Sequence, residues 1–185
     1  MRVIAGKARS IPLAAPKGMK TRPTTDRIKE TLFNMLQPRI SGCEFLDLFA
    51  GSGAIGIEAL SRGASECVFV EKNRGAVACI LENLKKTKLE KDAQVMQTDV
   101  MSALKQLDGH KVFDCIFMDP PYQDGVEEEI LTWLVNSSLP AKDSVIIVEA
   151  ALTADFSWME KLPCSIVKDK KYKTNRHLFI QINKN

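Results

Sequence analysis

The sequence predicts an α/β fold in which a doubly wound, mostly parallel sheet of seven strands ends in an antiparallel hairpin and is preceded by a β-hairpin and a helix. Two observations predict this architecture. From residue 44 onward, short apolar runs alternate with amphipathic segments, the pattern of a parallel sheet covered on both faces. Near the C-terminus, two apolar runs are joined by too few residues for a crossover helix, so those strands must be antiparallel.

The individual elements follow from this alternation. Parallel strands are predicted at 45–49, 67–70, 93–96, 112–118 and 145–148. The antiparallel pair is predicted at 165–167 and 178–182, with a cluster of basic residues between the two strands. Helices are predicted at about 54–62, 74–87, 100–107 and 126–136.

The first 39 residues are predicted to form a separate basic arm and helix, with the main domain at 40–185. Two short strands, 2–5 and 10–13, are joined by a turn at Gly6, and a Pro/Gly/Lys loop follows. Thr24 or Thr25 is the expected N-cap of the helix, which Pro38 helps to close. Its apolar stripe consists of Ile28, Leu32, Met35 and Leu36. We expect this stripe to pack on the main domain and the hairpin to project.

Composition excludes several classes of protein. The 185 residues carry 26 basic and 23 acidic side chains and are 45% hydrophobic, which argues against a disordered or histone-like chain. No apolar run approaches the roughly 18 residues of a membrane span, and the N-terminus has charges where a signal peptide needs apolar residues. A cytoplasmic location is therefore expected. The five cysteines and two histidines lack metal-ligand spacing, so no metal site is predicted.

The charge is unevenly distributed. Residues 1–39 contain nine basic and two acidic residues, a net charge of +7 that leaves −4 for the other 146 residues. A second basic cluster lies at 168–176. Two such clusters fit contact with a nucleic-acid backbone, although a solvated surface remains an alternative for the second one. The candidate RNA-binding residues are Arg2, Lys7, Arg9, Arg22, Arg27, Lys170, Lys171 and Lys173.

A glycine-rich turn follows the first strand of the main domain. Residues 51–56 match GxGxxG, and Glu71 lies twenty residues beyond Gly51, as in the dinucleotide fingerprint of an NAD-dependent oxidoreductase. However, Asp47 precedes the glycines by four residues, and a pyrophosphate avoids a nearby anion. An acid there suits a cationic cofactor such as S-adenosylmethionine. The candidate cofactor-binding residues are Asp47, Gly51, Ser52, Gly53, Glu71 and Asp99.

The three acids of this set have distinct predicted roles. Asp47 faces the positive charges of the cofactor, and Glu71 accepts hydrogen bonds from its two ribose hydroxyls. Asp99 follows the third strand, where it is placed to accept from the adenine amino group. Asp47 or Asp99 alone could equally be a solvated residue at a strand end. Together they mark the carboxyl edge of the sheet, where open α/β sheets bind ligands.

The fourth strand ends in Asp119-Pro120-Pro121-Tyr122. The prolines fix the direction of the loop and donate no N–H, so the loop offers the Asp119 carboxylate and the Pro120 carbonyl as acceptors. An aromatic ring follows at Tyr122. This set complements an exocyclic amine on a planar base, with Tyr122 stacking on the base. The candidate catalytic residues are therefore Asp119, Pro120 and Tyr122, with a simple turn as the alternative.

These motifs resemble a known family. The sequence DLFAGSG followed downstream by DPPY is similar to the S-adenosylmethionine-dependent amino-methyltransferases, which often have Phe at the position of Phe49. The opening MRVIAGKARS and the run RPTTDR at 22–27 resemble the RsmD family, the bacterial 16S ribosomal RNA guanine-N2 methyltransferases. The resemblance covers about residues 1–150 and implies a Rossmann-like fold, S-adenosylmethionine as cofactor and S-adenosylhomocysteine as product.

The resemblance also implies a substrate and a setting. These are the N2 amine of guanine 966 in 16S ribosomal RNA, reached within an assembling small-subunit particle by a cytoplasmic monomer. Methylation of adenine N6, cytosine N4 or protein glutamine uses the same DPPY motif and remains an alternative. Two further alternatives come from other classes of protein. An NAD-dependent oxidoreductase would need an acid/base pair for hydride transfer, and none is evident in this sequence. A non-catalytic RNA-binding module leaves the strand-end acids unexplained.

Overall fold

The computed structural model describes residues 1–16, 25–121 and 125–183. Its seven strands form one sheet in the order β3-β2-β1-β4-β5-β7-β6, in which β1 to β5 are parallel and β7 runs antiparallel to both β5 and β6. The predicted fold class is confirmed. The strands are β1 (Glu44–Leu48), β2 (Glu66–Val70), β3 (Ala93–Met96), β4 (Phe113–Met118), β5 (Pro140–Ala151), β6 (Cys164–Lys171) and β7 (Asn175–Ile182).

Five α-helices flank the sheet in the described residues, and the four predicted for the main domain agree with the observed ones to within a residue or so. They are α1 (Asp26–Ile40), α2 (Ala54–Ser61), α3 (Arg74–Thr87), α4 (Val100–Leu107) and α5 (Val126–Val135). Two single-turn 3₁₀ segments lie at Glu90–Asp92 and Ser157–Lys161. No helix in the described part of the chain is long and apolar enough to cross a membrane.

The core has two layers because successive side chains of a strand point to opposite faces of the sheet. On β1, Phe45 belongs to the layer under α1, α2 and α3, whereas Leu46 belongs to the layer under α4 and α5. The same alternation runs through β4, where Phe117 and Met118 lie in opposite layers. Both faces of the central strands are therefore buried, as the continuous apolar runs predicted.

The C-terminal strands differ from the prediction in their extent. The basic cluster was expected between the last two strands, but Lys168, Lys170 and Lys171 belong to β6 itself. β6 is the edge strand of the sheet and most of its residues are exposed, so it tolerates lysines that a central strand would exclude. β5 likewise begins at Pro140, five residues earlier than its apolar run indicates.

The N-terminal segment does not project, contrary to our expectation. It forms a hairpin closed by a single bridge between Arg2 and Pro12, in place of two regular strands, and it lies against α2. The backbone N–H groups of Ile4 and Ala5 donate to the buried carboxylate of Glu58 at 2.8 and 3.0 Å. The hairpin also buries apolar residues in the same core layer as α2. It docks because its backbone donors and its apolar side chains both find partners there.

Helix α1 is N-capped by Thr25, whose hydroxyl accepts from the Ile28 N–H, and it continues past Pro38 to Ile40. Its buried face includes Lys29, one of the nine basic residues in the 1–39 segment. The Lys29 ammonium donates to the Arg2 carbonyl at 2.7 Å and lies 3.1 Å from Glu58. Lys29 therefore ties α1 to the hairpin and to α2, and is not available to bind phosphate.

Candidate active site

The glycine-rich loop between β1 and α2 has the backbone that its sequence requires. Gly53 is the N-cap of α2 with a φ of 75°, a left-handed conformation that favours glycine. A Cβ added at Gly56 would lie 2.3 Å from the Phe69 ring, so glycine permits α2 to pack closely on β2. Phe49 also has a positive φ, 62°. This is the position at which the amino-methyltransferases that the sequence resembles often have Phe. The loop thus holds strain in a non-glycine residue, which is typical of functional loops.

Asp47 lies under this loop and is almost fully buried. One of its carboxylate oxygens accepts from the Gly56 N–H at 2.9 Å, which fixes the start of α2 over the end of β1. Burial raises the pKa of Asp47 to about 7, opposed by the Gly56 N–H and assisted by the negative charge of Glu71. Asp47 also lines the cavity described below.

Glu71 holds the loop from the end of β2. Its carboxylate accepts from the Gly51 N–H at 2.9 Å and from the Asn73 N–H at 2.8 Å. Asp99 is the N-cap of α4 and accepts from the Ser102 N–H at 2.9 Å. The hydrogen bonds from Ser102 lower the pKa of Asp99 below its usual range, so this exposed acid remains ionised.

A cavity of about 640 Å³ opens at the carboxyl ends of the parallel strands. It brings together most of the predicted catalytic and cofactor-binding residues in the described ranges: Asp47, Gly51, Ser52, Glu71, Asp99, Asp119 and Pro120. Gly53 adjoins it in the loop but is not part of its lining. Tyr122 and Arg22, also predicted, lie outside the described residues. The N-terminal segment and the start of α1 supply another wall through Pro16, Thr25 and Ile28.

Asp119 stands at the end of β4, beside this cavity. Burial raises the pKa of its carboxyl to about 7, and the negative charges of Glu149 and Asp47 add to the effect. Pro120 is buried directly after it. A carboxyl group with a pKa near neutrality, next to a rigid carbonyl, can both accept a hydrogen bond and take up a proton.

Sequence reasoning missed a polar group near the end of β5 and at the start of β7. Glu149 and Asn175 both line the cavity and are buried, and the Asn175 amide donates to Glu149. His177 Nε2 lies 3.0 Å from the other carboxylate oxygen of Glu149, and its Nδ1 lies 3.2 Å from the Tyr172 hydroxyl. Glu149 directly follows the apolar run 145–148, just as Asp119 follows the apolar run of the fourth strand. A search for acids at the ends of apolar runs could therefore have found it.

The predicted RNA-binding residues are mostly exposed. Arg9, Arg27, Lys171 and Lys173 are exposed, as are Arg2 and Lys7 on the docked hairpin. Arg2 forms an ion pair with Asp26 at 3.2 Å. Lys170 is half-buried, with its ammonium 6.0 Å from the centre of the Tyr172 ring. The described residues hold no group of three or more side chains suited to bind a metal ion, and all five cysteines are buried thiols.

The strand order, the antiparallel return through β7 and the acid-lined cavity at the strand ends define the fold of the S-adenosylmethionine-dependent methyltransferases. The chain belongs to the family described as "Conserved hypothetical protein 95", the RsmD family, whose model matches residues 1–181.

Named relatives agree with this assignment. The chain is 43% identical over 150 residues to "Putative rRNA methyltransferase YlbH" of Bacillus subtilis, covering 80% of this chain and 82% of that one. It is 39% identical over 151 residues to "Ribosomal RNA small subunit methyltransferase D" of Escherichia coli K12, covering 81% and 74%. Among solved structures, "Putative methyltransferase yhhF" from Escherichia coli superposes with a TM-score of 0.85 at 32% identity, covering 100% and 99%.

Proposed function

We propose that this protein transfers a methyl group from S-adenosylmethionine to the exocyclic N2 amine of a guanine in 16S ribosomal RNA. The observation that carries the proposal is the position of Asp119 and Pro120 in the cavity that also contains Asp47, Glu71 and Asp99. One end of the cavity can therefore hold the cofactor while the other presents acceptors to an amine. The names of the family relatives support RNA of the small subunit as the substrate.

The proposed cofactor position follows from the acids. The cationic end of S-adenosylmethionine lies toward Asp47, and its ribose hydroxyls donate to Glu71. Asp99 remains ionised because of its capping hydrogen bonds and accepts from the adenine amino group. When bound, this cofactor supplies an electrophilic methyl group. The same acids argue against NAD, because its pyrophosphate would lie beside several carboxylates.

Asp119 and Pro120 act on the amine. Its two N–H groups donate to the Asp119 carboxylate and to the Pro120 carbonyl, which aligns the nitrogen lone pair with the methyl group for in-line displacement. As the new C–N bond forms, the bond between the methyl group and the sulfur would break, and S-adenosylhomocysteine would be the leaving group. The nitrogen would then be cationic, and its proton would pass to Asp119. The pKa of Asp119, about 7, suits this transfer because the carboxylate is a better proton acceptor than an ordinary aspartate. Tyr122 stacks on the base, which must leave the RNA stack to react.

The exposed basic residues hold the RNA backbone. Three of them, Arg2, Lys7 and Arg9, lie on the docked hairpin of the 1–39 arm. The start of α1 forms part of the cavity wall. Together with Lys170, Lys171 and Lys173, and with Arg22 and Arg27, they supply affinity and orientation more than sequence recognition. The protein acts as a monomer, in the cytoplasm, on a small-subunit particle during its assembly.

The test is a methyl-transfer assay. Small-subunit particles from a strain lacking this modification are incubated with the enzyme and S-adenosyl-L-[methyl-³H]methionine, and the RNA is then digested to nucleosides. We expect N2-methylguanosine as the labelled nucleoside. Label in N6-methyladenosine, in N4-methylcytidine or in protein would identify the corresponding alternative activity instead. Mapping the labelled nucleotide tests position 966.

A further inference from the structure

The group formed by Glu149, Asn175, His177 and Tyr172 is not used by the mechanism above, although Glu149 and Asn175 line the same cavity. The register of the sheet places Glu149 beside Asp119. Phe117 pairs with Ile147 and Met118 with Val148. Asp119, which directly follows β4, and Glu149 of β5 are the next residues along the two chains. The negative charge of Glu149 adds to the effect of burial in raising the pKa of Asp119.

The hydrogen bonds around Glu149 have a defined direction. A carboxylate only accepts, so Nε2 of His177 carries the proton that it donates to Glu149. Nδ1, on the other side of the ring, lies 3.2 Å from the Tyr172 hydroxyl. Burial and the charge of Glu149 raise the pKa of Tyr172 to about 12, so this hydroxyl keeps its proton. The Asn175 amide must likewise turn its NH₂ toward Glu149. These donors fix the plane of the carboxylate.

The fixed carboxylate still has accepting capacity. Each oxygen has two lone pairs, and the hydrogen bonds from Asn175 and His177 each occupy one. A second buried acceptor lies beside it, because Asn175 Oδ1 has no hydrogen-bond partner in the part of the chain that the structure describes. Its NH₂ group is committed to Glu149, so this oxygen cannot be exchanged for a donor. Among the described residues, Glu149 and Asn175 therefore offer acceptor capacity that no hydrogen bond of the structure uses.

We propose that Glu149 selects guanine by accepting the hydrogen bond of the ring N1–H, while Asp119 and Pro120 take the N–H groups of the N2 amine. The inference rests on the proposed function and names the residue that sets its choice of base. Guanine has three N–H donors on its Watson–Crick edge. Two belong to the N2 amine, and the third is N1–H. Adenine and cytosine carry an unprotonated ring nitrogen next to their amine, whose lone pair a carboxylate repels. Asn175 and His177 are positioning residues that hold Glu149 in place.

The test compares guanine with 2-aminopurine, which keeps the 2-amino group and lacks the N1 hydrogen. Small-subunit particles are reconstituted with 16S ribosomal RNA that carries either base at the nucleotide methylated by the wild-type enzyme, and kcat/KM is measured for both. Glu149→Gln keeps the shape of the side chain, but its NH₂ can donate to an unprotonated N1. We expect the guanine preference over 2-aminopurine to fall at least about tenfold, the order expected for the loss of one hydrogen bond to a charged group.

The matched control is Glu71→Gln, a carboxylate of the same cavity on the cofactor side. It should raise KM for S-adenosylmethionine and leave the ratio between the two bases unchanged. Glu149→Asp shortens the side chain by one methylene and serves as the second variant should Glu149→Gln fail to fold. It should also reduce the preference for guanine over 2-aminopurine. If a folded Glu149 variant has the same ratio of kcat/KM for guanine and 2-aminopurine as wild type, this inference is wrong and the proposed function is unaffected. A wild-type product other than N2-methylguanosine overturns the proposed function, and this inference with it.

Discussion

The strongest perturbation that the structure suggests outside the cavity is the replacement of Glu58 by alanine. Glu58 is fully buried on α2 and accepts from the Ile4 and Ala5 N–H groups and, at 2.8 Å, from Arg62 Nε. Its carboxylate also lies 3.1 Å from the buried Lys29 ammonium. Glu58→Ala therefore leaves a buried lysine uncompensated and removes the partners of two backbone donors. The N-terminal hairpin loses its main polar anchor.

The magnitude follows from these contacts. Removing one partner of a buried ion pair costs about 3–5 kcal/mol, and each buried donor left unsatisfied costs about 1–3 kcal/mol. The contributions overlap, because the freed groups can partly reach water. We expect Glu58→Ala to lower the free energy of unfolding by at least about 3 kcal/mol, a large share of the roughly 5–15 kcal/mol of a typical domain.

Urea denaturation followed by circular dichroism measures this loss as a shift of the midpoint. The matched control is Glu82→Ala, which removes an exposed ion pair between Glu82 and Lys86 on α3 and should cost no more than about 0.5 kcal/mol. A loss below about 1 kcal/mol for Glu58→Ala would refute the reasoning, since it would mean that the hairpin and Lys29 do not depend on this carboxylate.

Three further predictions concern the site and the docked hairpin. The pKa of Asp47 rises from 3.8 to about 7 on folding, so its contribution to stability is present below pH 3.8 and is lost as pH rises through about 7. Asp47→Asn should remove this pH dependence. Between pH 4 and pH 8, urea denaturation should show the free energy of unfolding of the variant rising by up to about 4 kcal/mol relative to that of wild type. A difference between the two proteins that is the same at both pH values would contradict the raised pKa. Gly6→Ala places a Cβ 1.8 Å from the Ser61 carbonyl oxygen and should lower the melting temperature more than Gly42→Ala, whose Cβ meets nothing within 4 Å; equal losses would mean that the hairpin does not approach α2 closely. Glu71→Ala should weaken the binding of S-adenosylhomocysteine by about 2–3 kcal/mol in calorimetry, and unchanged affinity in the folded variant counts against its role.

The helices and central strands could be predicted from sequence because their ends carry local signals. Asn73 and Asp99 cap α3 and α4 through their own side chains, and the apolar runs of the parallel strands are buried on both faces. Such signals act within a few residues of the chain. The sequence likewise predicted that Asp47 and Asp119 lie at one edge of the sheet, because parallel strands end there, and both residues line the cavity at that edge.

Other features depend on contacts that are distant in sequence. The docking of the hairpin requires Glu58, which lies more than fifty residues beyond Ile4 and reads in the sequence as an ordinary helical glutamate. Lys29 is buried only because that carboxylate meets it. Asn175 reaches the cavity because β7 returns antiparallel beside β5, and the exact pairing of the two strands cannot be deduced from their apolar patterns.

The most direct test of the account is the single-turnover rate of methyl transfer by Asp119→Asn, loaded with S-adenosyl-L-[methyl-³H]methionine and mixed with unmethylated small-subunit particles. The variant keeps the size of the side chain and loses the proton acceptor. We expect the rate to fall by about 10²-fold or more, the contribution of a positioned general base, while the affinity for S-adenosylhomocysteine changes less than about threefold. A rate close to that of wild type would contradict the central claim that Asp119 binds the target amine and takes its proton.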